Sequence, residues 1–236
     1  MLKTILFDLD GTLLPMEEAR FLEGYFGLLT KTMAPRGFDG KDLIRVLWQG
    51  VAAMVANDGK KTNEAVFREV FAKSYPDRDT DADLSCLENF YRTAFDGARV
   101  FCGFNPAAED TVRALQARGF SLILASNPVF PRFAQEMRLR WAGVDPTVFS
   151  FFTSYENFSF SKPNPAYYAA ILSNLGLDPA ECLMVGNDAE EDMTAETVGI
   201  KTFLLTDCLI NRKERDITRY PRGSFPELLR EIDRLS

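Results

Sequence analysis

A doubly wound, parallel α/β sheet with an all-helical insertion near its start is the fold that this sequence predicts. Three observations carry the expectation. The chain opens on a short apolar strand that runs into two aspartates and a glycine, Thr4-Ile5-Leu6-Phe7-Asp8-Leu9-Asp10-Gly11-Thr12. A long stretch then shows helical periodicity alone. From Val100 onward apolar strands and helices alternate, the pattern of a parallel sheet with helices on both faces.

Ile5, Leu6 and Phe7 form a continuous apolar run with β-branched and aromatic character, as expected of a strand buried on both sides. Between Pro15 and Gly97, Phe21, Tyr25, Leu28 and Leu29 fall at helical spacing, as do Leu43, Val46, Leu47, Val51 and Met54. Breaks come at Ala34-Pro35-Arg36-Gly37, Asn57-Asp58-Gly59 and Tyr75-Pro76-Asp77. Two further helices are expected near Asn63–Ser74 and Asp83–Phe95. Successive helices with no strand between them fit a separate bundle better than a doubly wound sheet. Residues 15–97 are therefore expected to form a separate helical insertion, and residues 1–14 with 98–236 the core. Phe21 and Tyr25 are expected in the insertion's own core, and Glu17, Arg20, Lys31 and Arg36 on solvated surface.

In the second half, Asn105-Pro106 reads as an N-cap and first helical residue, opening a helix to Arg118 that Gly119 stops. Phe120–Ala125 is a strand ending in Ser126-Asn127-Pro128. A helix near Pro131–Trp141 and a strand near Val148–Thr153 follow. Asn164-Pro165 starts a helix that ends by Leu175-Gly176. Cys182–Val185 is a strand, Gly186-Asn187-Asp188 opens a helix that stops at Gly199, and Ile200–Leu205 is a fifth strand. The tail, Asp207–Tyr220, reads as polar and irregular before a last amphipathic helix near Phe225–Leu235.

Composition narrows the function classes. Hydrophobic content of 46% and 20 phenylalanines supply a folded core. A net charge of −7 argues against nonspecific binding to nucleic acid or anionic membranes. No apolar run approaches the ~20 residues of a membrane span, and no signal-peptide pattern opens the chain. Cys86, Cys102, Cys182 and Cys208 lack metal-type pairing, which suggests a reducing, cytoplasmic setting. The absence of histidine removes Ser-His and Cys-His catalysis and the commonest transition-metal ligand. Acid–base chemistry must fall to carboxylates, lysine, tyrosine or bound water.

Open α/β sheets bind ligands at the carboxyl ends of their strands, where Asp8 and Asp10 are expected. Two such close carboxylates repel unless one is protonated or a cation lies between them, and Mg²⁺, a hard cation with oxygen ligands, fits that need. Ser126 and Asn127 end the second strand and offer a hydroxyl and an amide to a phosphoryl oxygen. Lys162, within Phe160-Ser161-Lys162-Pro163-Asn164-Pro165, sits in a proline-stiffened loop that aims its ammonium at little entropic cost. In Gly186-Asn187-Asp188-Ala189-Glu190-Glu191-Asp192, a strand–helix turn carries acids able to complete a Mg²⁺ site, with Asp192 one turn beyond Asp188. Glu190 and Glu191 are accounted for by the favourable helix dipole at an N-terminus.

These four segments, in this order and each after an expected strand, resemble the four motifs of the haloacid-dehalogenase (HAD) superfamily of phosphohydrolases. Residues 15–97 resemble the helical cap inserted after that family's first motif, on a Rossmann-like core. The resemblance implies that Asp8 attacks the phosphorus of a phosphate monoester, giving an aspartyl-phosphate. It implies that Asp10 protonates the leaving alcohol and then activates water. It also implies Mg²⁺ on Asp8, Asp188 and the backbone carbonyl of Asp10, with Thr12, Ser126, Asn127 and Lys162 on the phosphoryl oxygens. The fourth motif departs from the family pattern, which usually places Asp directly after the glycine. Here Asn187 stands there and Asp188 follows. Asp188 is the expected ligand, since an anion suits a divalent cation better than an amide does, with Asn187 and Asp192 as alternatives.

A helical cap closing over the site implies a small soluble phosphorylated metabolite as substrate. Haloacid dehalogenases lack an acid two residues after the nucleophile, so Asp10 disfavours dehalogenation. A sugar-phosphate mutase uses the same Asp-x-Asp pair and stays open, as does a non-catalytic binding or scaffold protein on this fold.

Overall fold

The computed structural model describes all of residues 1–236. The strands are β1 (Thr4–Phe7), β2 (Ser121–Leu124), β3 (Phe151–Phe152), β4 (Cys182–Gly186), β5 (Lys201–Leu205) and β6 (Arg222–Gly223). They form one sheet in the order β3-β2-β1-β4-β5-β6, every pair parallel. The chain builds outward from β1 on one side through β2 and β3, then crosses to β4 on the other. β1 therefore lies at the point where strand order reverses, where doubly wound sheets open a crevice.

Side chains of β1 alternate as a strand requires. Ile5 and Phe7 join one apolar cluster, while Leu6 joins another with Ile123, Met184 and Ile171 on the opposite face. The helices after the strands are α5 (Pro106–Ala117), α6 (Arg132–Trp141), α7 (Pro165–Leu175) and α8 (Phe225–Leu235). Asn105 and Asn164 cap α5 and α7 by accepting from the amides of Ala107 and Ala166, as the Asn-Pro pairs predict.

Between β1 and α5 stand α1 (Glu18–Met33), α2 (Gly40–Val55), α3 (Asn63–Ser74) and α4 (Thr80–Thr93), joined to the sheet by a 3₁₀ segment, Phe95–Phe101. Their starts are set locally, since Asp39, Thr62 and Asp79 each accept a backbone N–H from the first turn of α2, α3 and α4. Leu29, Met33, Leu47 and Phe71 of these helices belong to the same apolar cluster as Ile5, Phe7 and Leu122 of the sheet. A buried polar knot fastens the two together. The Asn63 amide donates to the Pro128 carbonyl (2.9 Å) and the Ser161 hydroxyl (3.1 Å), and its oxygen accepts from Asn57 (2.8 Å). Ser161 in turn donates to the Met54 carbonyl at 3.2 Å, so the loop carrying Lys162 is pinned to the end of α2. No helix is long and apolar enough to cross a membrane.

Two expectations need correction. The predicted helix from Asn187 to Gly199 is a turn followed by a 3₁₀ segment, Met193–Val198. Asp188 Oδ1 accepts from the amides of Glu190 (2.7 Å) and Glu191 (2.9 Å), so a side chain takes up donors while the segment turns. The dipole account of Glu190 and Glu191 lapses with that helix. Asp207–Tyr220 is irregular as expected, and just beyond it Arg222 and Gly223 pair with Leu204 and Leu205 as an edge strand too short to show periodicity. The strand expected at Val148–Thr153 shrinks to two residues because Pro146–Val148 is a 3₁₀ turn.

Within the four-helix region Asp83 is 1% exposed and receives both Arg36 and Arg78. Hydrogen bonding from Arg78 lowers its carboxyl below the ordinary 3.8, with burial opposing and Arg36 assisting. A lowered carboxyl binds fewer protons folded than unfolded, so its stabilisation is complete above the ordinary value and is lost as pH falls through the depressed one. Asp83→Asn is expected to cost about 2 kcal/mol at neutral pH. Urea melts of the two proteins should converge in strong acid.

Candidate active site

The first loop positions most of the site. Asp8 follows β1 directly, its amide bonded to the Val185 carbonyl at 2.9 Å. Gly11 adopts φ 81°, and a Cβ there would lie 2.2 Å from the Asn187 amide nitrogen. Glycine thus serves both the left-handed turn and the close approach of the fourth segment. The Thr12 hydroxyl lies 3.2 Å from Asp8 Oδ2 and 3.0 Å from Asn187 Oδ1, bridging the first and fourth segments.

Lys162 reaches the same carboxylate from the other side. Its ammonium is 2.9 Å from Asp8 Oδ1 and 2.6 Å from Asp192 Oδ1, with the side chain 1% exposed. Burial alone would depress its proton affinity, but Asp192 and then Asp8 outweigh burial and hold it well above 10.5, so the charge stays on. The second Asp192 oxygen accepts the Asp188 amide at 2.9 Å. A Cβ on Gly186 would fall 2.1 Å from that oxygen, so the strand ends in glycine where the carboxylate crosses it. With both oxygens engaged, Asp192 orients Lys162 and the turn.

Ser126 and Asn127 close β2 beside them. The Ser126 carbonyl accepts from Thr153 (2.7 Å) and Tyr167 (3.0 Å), which fixes the backbone of a residue that lines the cleft. Asn127 accepts the Lys162 amide and donates to Glu191, each at 3.2 Å. Burial pushes the Glu191 carboxyl up to about 8.

Asp10 faces a partner that the sequence did not disclose. Arg138 on α6 is fully buried, pairs through Nη1 with Asp10 Oδ2 and lies over the Phe130 ring at 4.4 Å. Its Nη2, like Asp10 Oδ1, is buried without a hydrogen-bond partner. Burial, with Asp8 adding to it, raises the Asp10 carboxyl, and Arg138 opposes the rise. A carboxyl poised in this way can carry a proton and later accept one. An arginine on an amphipathic helix reads as solvated unless the burial of its face is known, which is why Arg138 escaped notice.

Asp8, Asp10, Ser126, Asn127, Asn187, Asp188 and Asp192 all border one cleft, and Thr12 and Lys162 bond to Asp8 at its floor. Phe21 and Tyr25 are buried as expected, yet they also line this cleft. Arg36 is on the surface as expected, where it pairs with the buried Asp83. No three carboxylates converge on one point. The available donors beside Asp8 are nevertheless all oxygens under net negative charge, the kind that a hard divalent cation takes. Asn187 Oδ1 is one hydroxyl away from Asp8, whereas Asp188 holds its own turn and faces Arg212 at 3.5 Å.

Comparison with known proteins agrees with this picture. A pyrophosphatase, PpaX, of Bacillus pumilus is 25% identical over 201 residues, covering 85% of this chain and 82% of that protein. A phosphoglycolate phosphatase of Rhodospirillum rubrum is 27% identical over 210 residues, covering 87% and 80%. Among solved structures, a 2-haloacid dehalogenase from Pseudomonas syringae superposes with a TM-score of 0.68 at 20% identity over the whole of both chains. A HAD phosphatase from Thermococcus onnurineus gives 0.59 at 19% identity over 98% of each, and both likenesses speak for the fold. The haloacid dehalogenase-like hydrolase model matches residues 2–195, a span that holds all four segments of the cleft, and the chain belongs to that family.

Proposed function

We propose that this protein is a Mg²⁺-dependent phosphatase that hydrolyses a small phosphate monoester through an aspartyl-phosphate on Asp8. The observation that carries the reading is the setting of Asp8. Its carboxylate lies at the strand-order reversal between the Lys162 ammonium and the Thr12 hydroxyl, with Asp10 two residues on at the same cleft.

In this reading Asp8 Oδ attacks phosphorus in line with the ester oxygen, and the P–O bond to the alcohol breaks as the new P–O bond forms. Asp10 gives its proton to the departing oxygen, then takes one from the water that attacks the phosphoaspartate. Its raised proton affinity suits the first role, and Arg138 keeps it from rising so far that the second is lost. Lys162, Ser126 and Thr12 donate to the phosphoryl oxygens, and Asp192 keeps Lys162 aimed. Mg²⁺, held by Asp8, by the Asp10 carbonyl and by Asp188 or Asn187, would offset charge on the phosphoryl group. Four free thiols suit a reducing compartment, and the reading places the chain in the cytoplasm.

Phosphate release from a panel of small monoesters, in Mg²⁺ and in EDTA, tests the reading. Mg²⁺-dependent release supports it. Silence with Mg²⁺ still bound would favour a mutase, and silence without Mg²⁺ binding a scaffold. The ligand question has its own test. Asp188→Asn is expected to raise the Mg²⁺ concentration for half-maximal rate by about tenfold or more, the range for a weakened ligand shell, and by more than Asn187→Ala. The reverse order would assign the ligand to Asn187.

A further inference from the structure

The cleft above Asp8 is much larger than a phosphoryl group and differs from it in chemistry. Its volume is about 370 Å³, within the range of sites that enclose a small organic molecule. Away from Asp8 and its neighbouring carboxylates the walls are mainly apolar. α1 contributes Phe21, Leu22, Tyr25 and Phe26, and α2 contributes Leu47, Trp48, Val51, Met54 and Val55. An amphipathic helix normally buries such a stripe against protein. Here Leu22, Phe26 and Val51 are only half-buried, and Trp48 and Val55 at the rim are 45% and 39% exposed. Apolar surface left open beside reactive carboxylates is what the organic part of a substrate would cover.

Charge narrows that substrate further. Seven acidic residues and two basic ones line the cleft. Both basic residues are already paired. Arg68 holds Glu64 at 3.0 Å and Glu88 at 2.5 Å, and Arg212 holds Glu18 and stands 3.5 Å from Asp188. A second carboxylate or phosphate on the substrate would have to compete with Glu18, Glu64 and Glu88 for these arginines and would face the lining acids as it lost hydration.

We propose that the leaving group is an uncharged, apolar alcohol or phenol, seated between α1, α2 and Phe130 while its phosphate faces Asp8. The proposal rests on the phosphatase reading and adds the substrate class to it. Transfer of each methylene from water into this chamber should raise kcat/KM by about fourfold.

The test is a series of n-alkyl phosphates from methyl to hexyl, whose leaving alcohols differ little in acidity, with 2-phosphoglycolate as the doubly acidic comparison. Wild type is expected to gain on the order of a thousandfold from methyl to hexyl and to turn over butyl phosphate faster than 2-phosphoglycolate. Val51→Glu, which sets a carboxylate on the half-buried wall, should collapse the hexyl-to-methyl ratio toward one. Competition by hexylphosphonate against methylphosphonate repeats the comparison on unaltered protein. Phosphate release with a flat chain-length series, or with 2-phosphoglycolate preferred, would overturn the proposal and leave the phosphatase reading standing. No release from any member, with or without Mg²⁺, would overturn that reading and the proposal with it.

Discussion

Asp8→Asn is expected to lower phosphate release by on the order of 10⁴-fold or more, the scale on which loss of a nucleophile is measured. The substitution keeps the shape of the side chain, so Thr12 retains an oxygen within reach and Lys162 keeps its pairing with Asp192 at 2.6 Å. The fold should therefore survive, and a thermal melt close to that of wild type would attribute the loss to chemistry. The amide of asparagine is a poor nucleophile and carries no charge for a cation. Residual turnover within about tenfold of wild type would refute a covalent role for Asp8.

Asp10→Asn is expected to slow both halves of the reaction, by about 10²–10⁴-fold, because in the proposed mechanism one carboxyl serves as acid and then as base. The loss should depend on the ester. An alkyl phosphate needs its leaving oxygen protonated and should suffer most, whereas a nitrophenyl phosphate, whose leaving group departs as an anion, should suffer less. Mg²⁺ affinity should hold, since Asp10 would offer the cation a backbone carbonyl. Stability should fall, because Arg138 is fully buried and would lose its anionic partner, a change worth about 3 kcal/mol. Equal losses for both esters would place the acid elsewhere.

Much of the fold was legible because the signals were local. Ile5-Leu6-Phe7 announced a strand buried on both faces, and the Asn-Pro pairs at 105 and 164 marked two helix starts that the structure reproduces. The helices Asn63–Ser74 and Phe225–Leu235 fall where their periodicity put them. The errors came where side chains compete with the backbone or where contacts are distant in sequence. Asp188 bonds to two amides of the expected helix, and a propensity argument cannot foresee that choice.

The cleft followed the same division. Asp8, Asp10 and Lys162 stood out through motif context, and they do border or floor one cleft. Arg138, 128 residues from Asp10, and Asn63, which ties α3 to the Lys162 loop, are specified only by three-dimensional packing. The apolar stripe of α2 was visible as periodicity, yet periodicity cannot tell a face that meets protein from one that meets an open chamber.

The proposed mechanism requires a covalent phosphoryl group on Asp8 during turnover. Rapid acid quench during turnover of a reactive phosphate ester in Mg²⁺, followed by peptide mass analysis, tests it most directly. The peptide that contains Asp8 is expected to carry the added mass of one phosphoryl group, absent in EDTA and absent in Asp8→Asn. Steady turnover with no phosphorylated peptide at any quench time, or with the phosphoryl group on another residue, would contradict it.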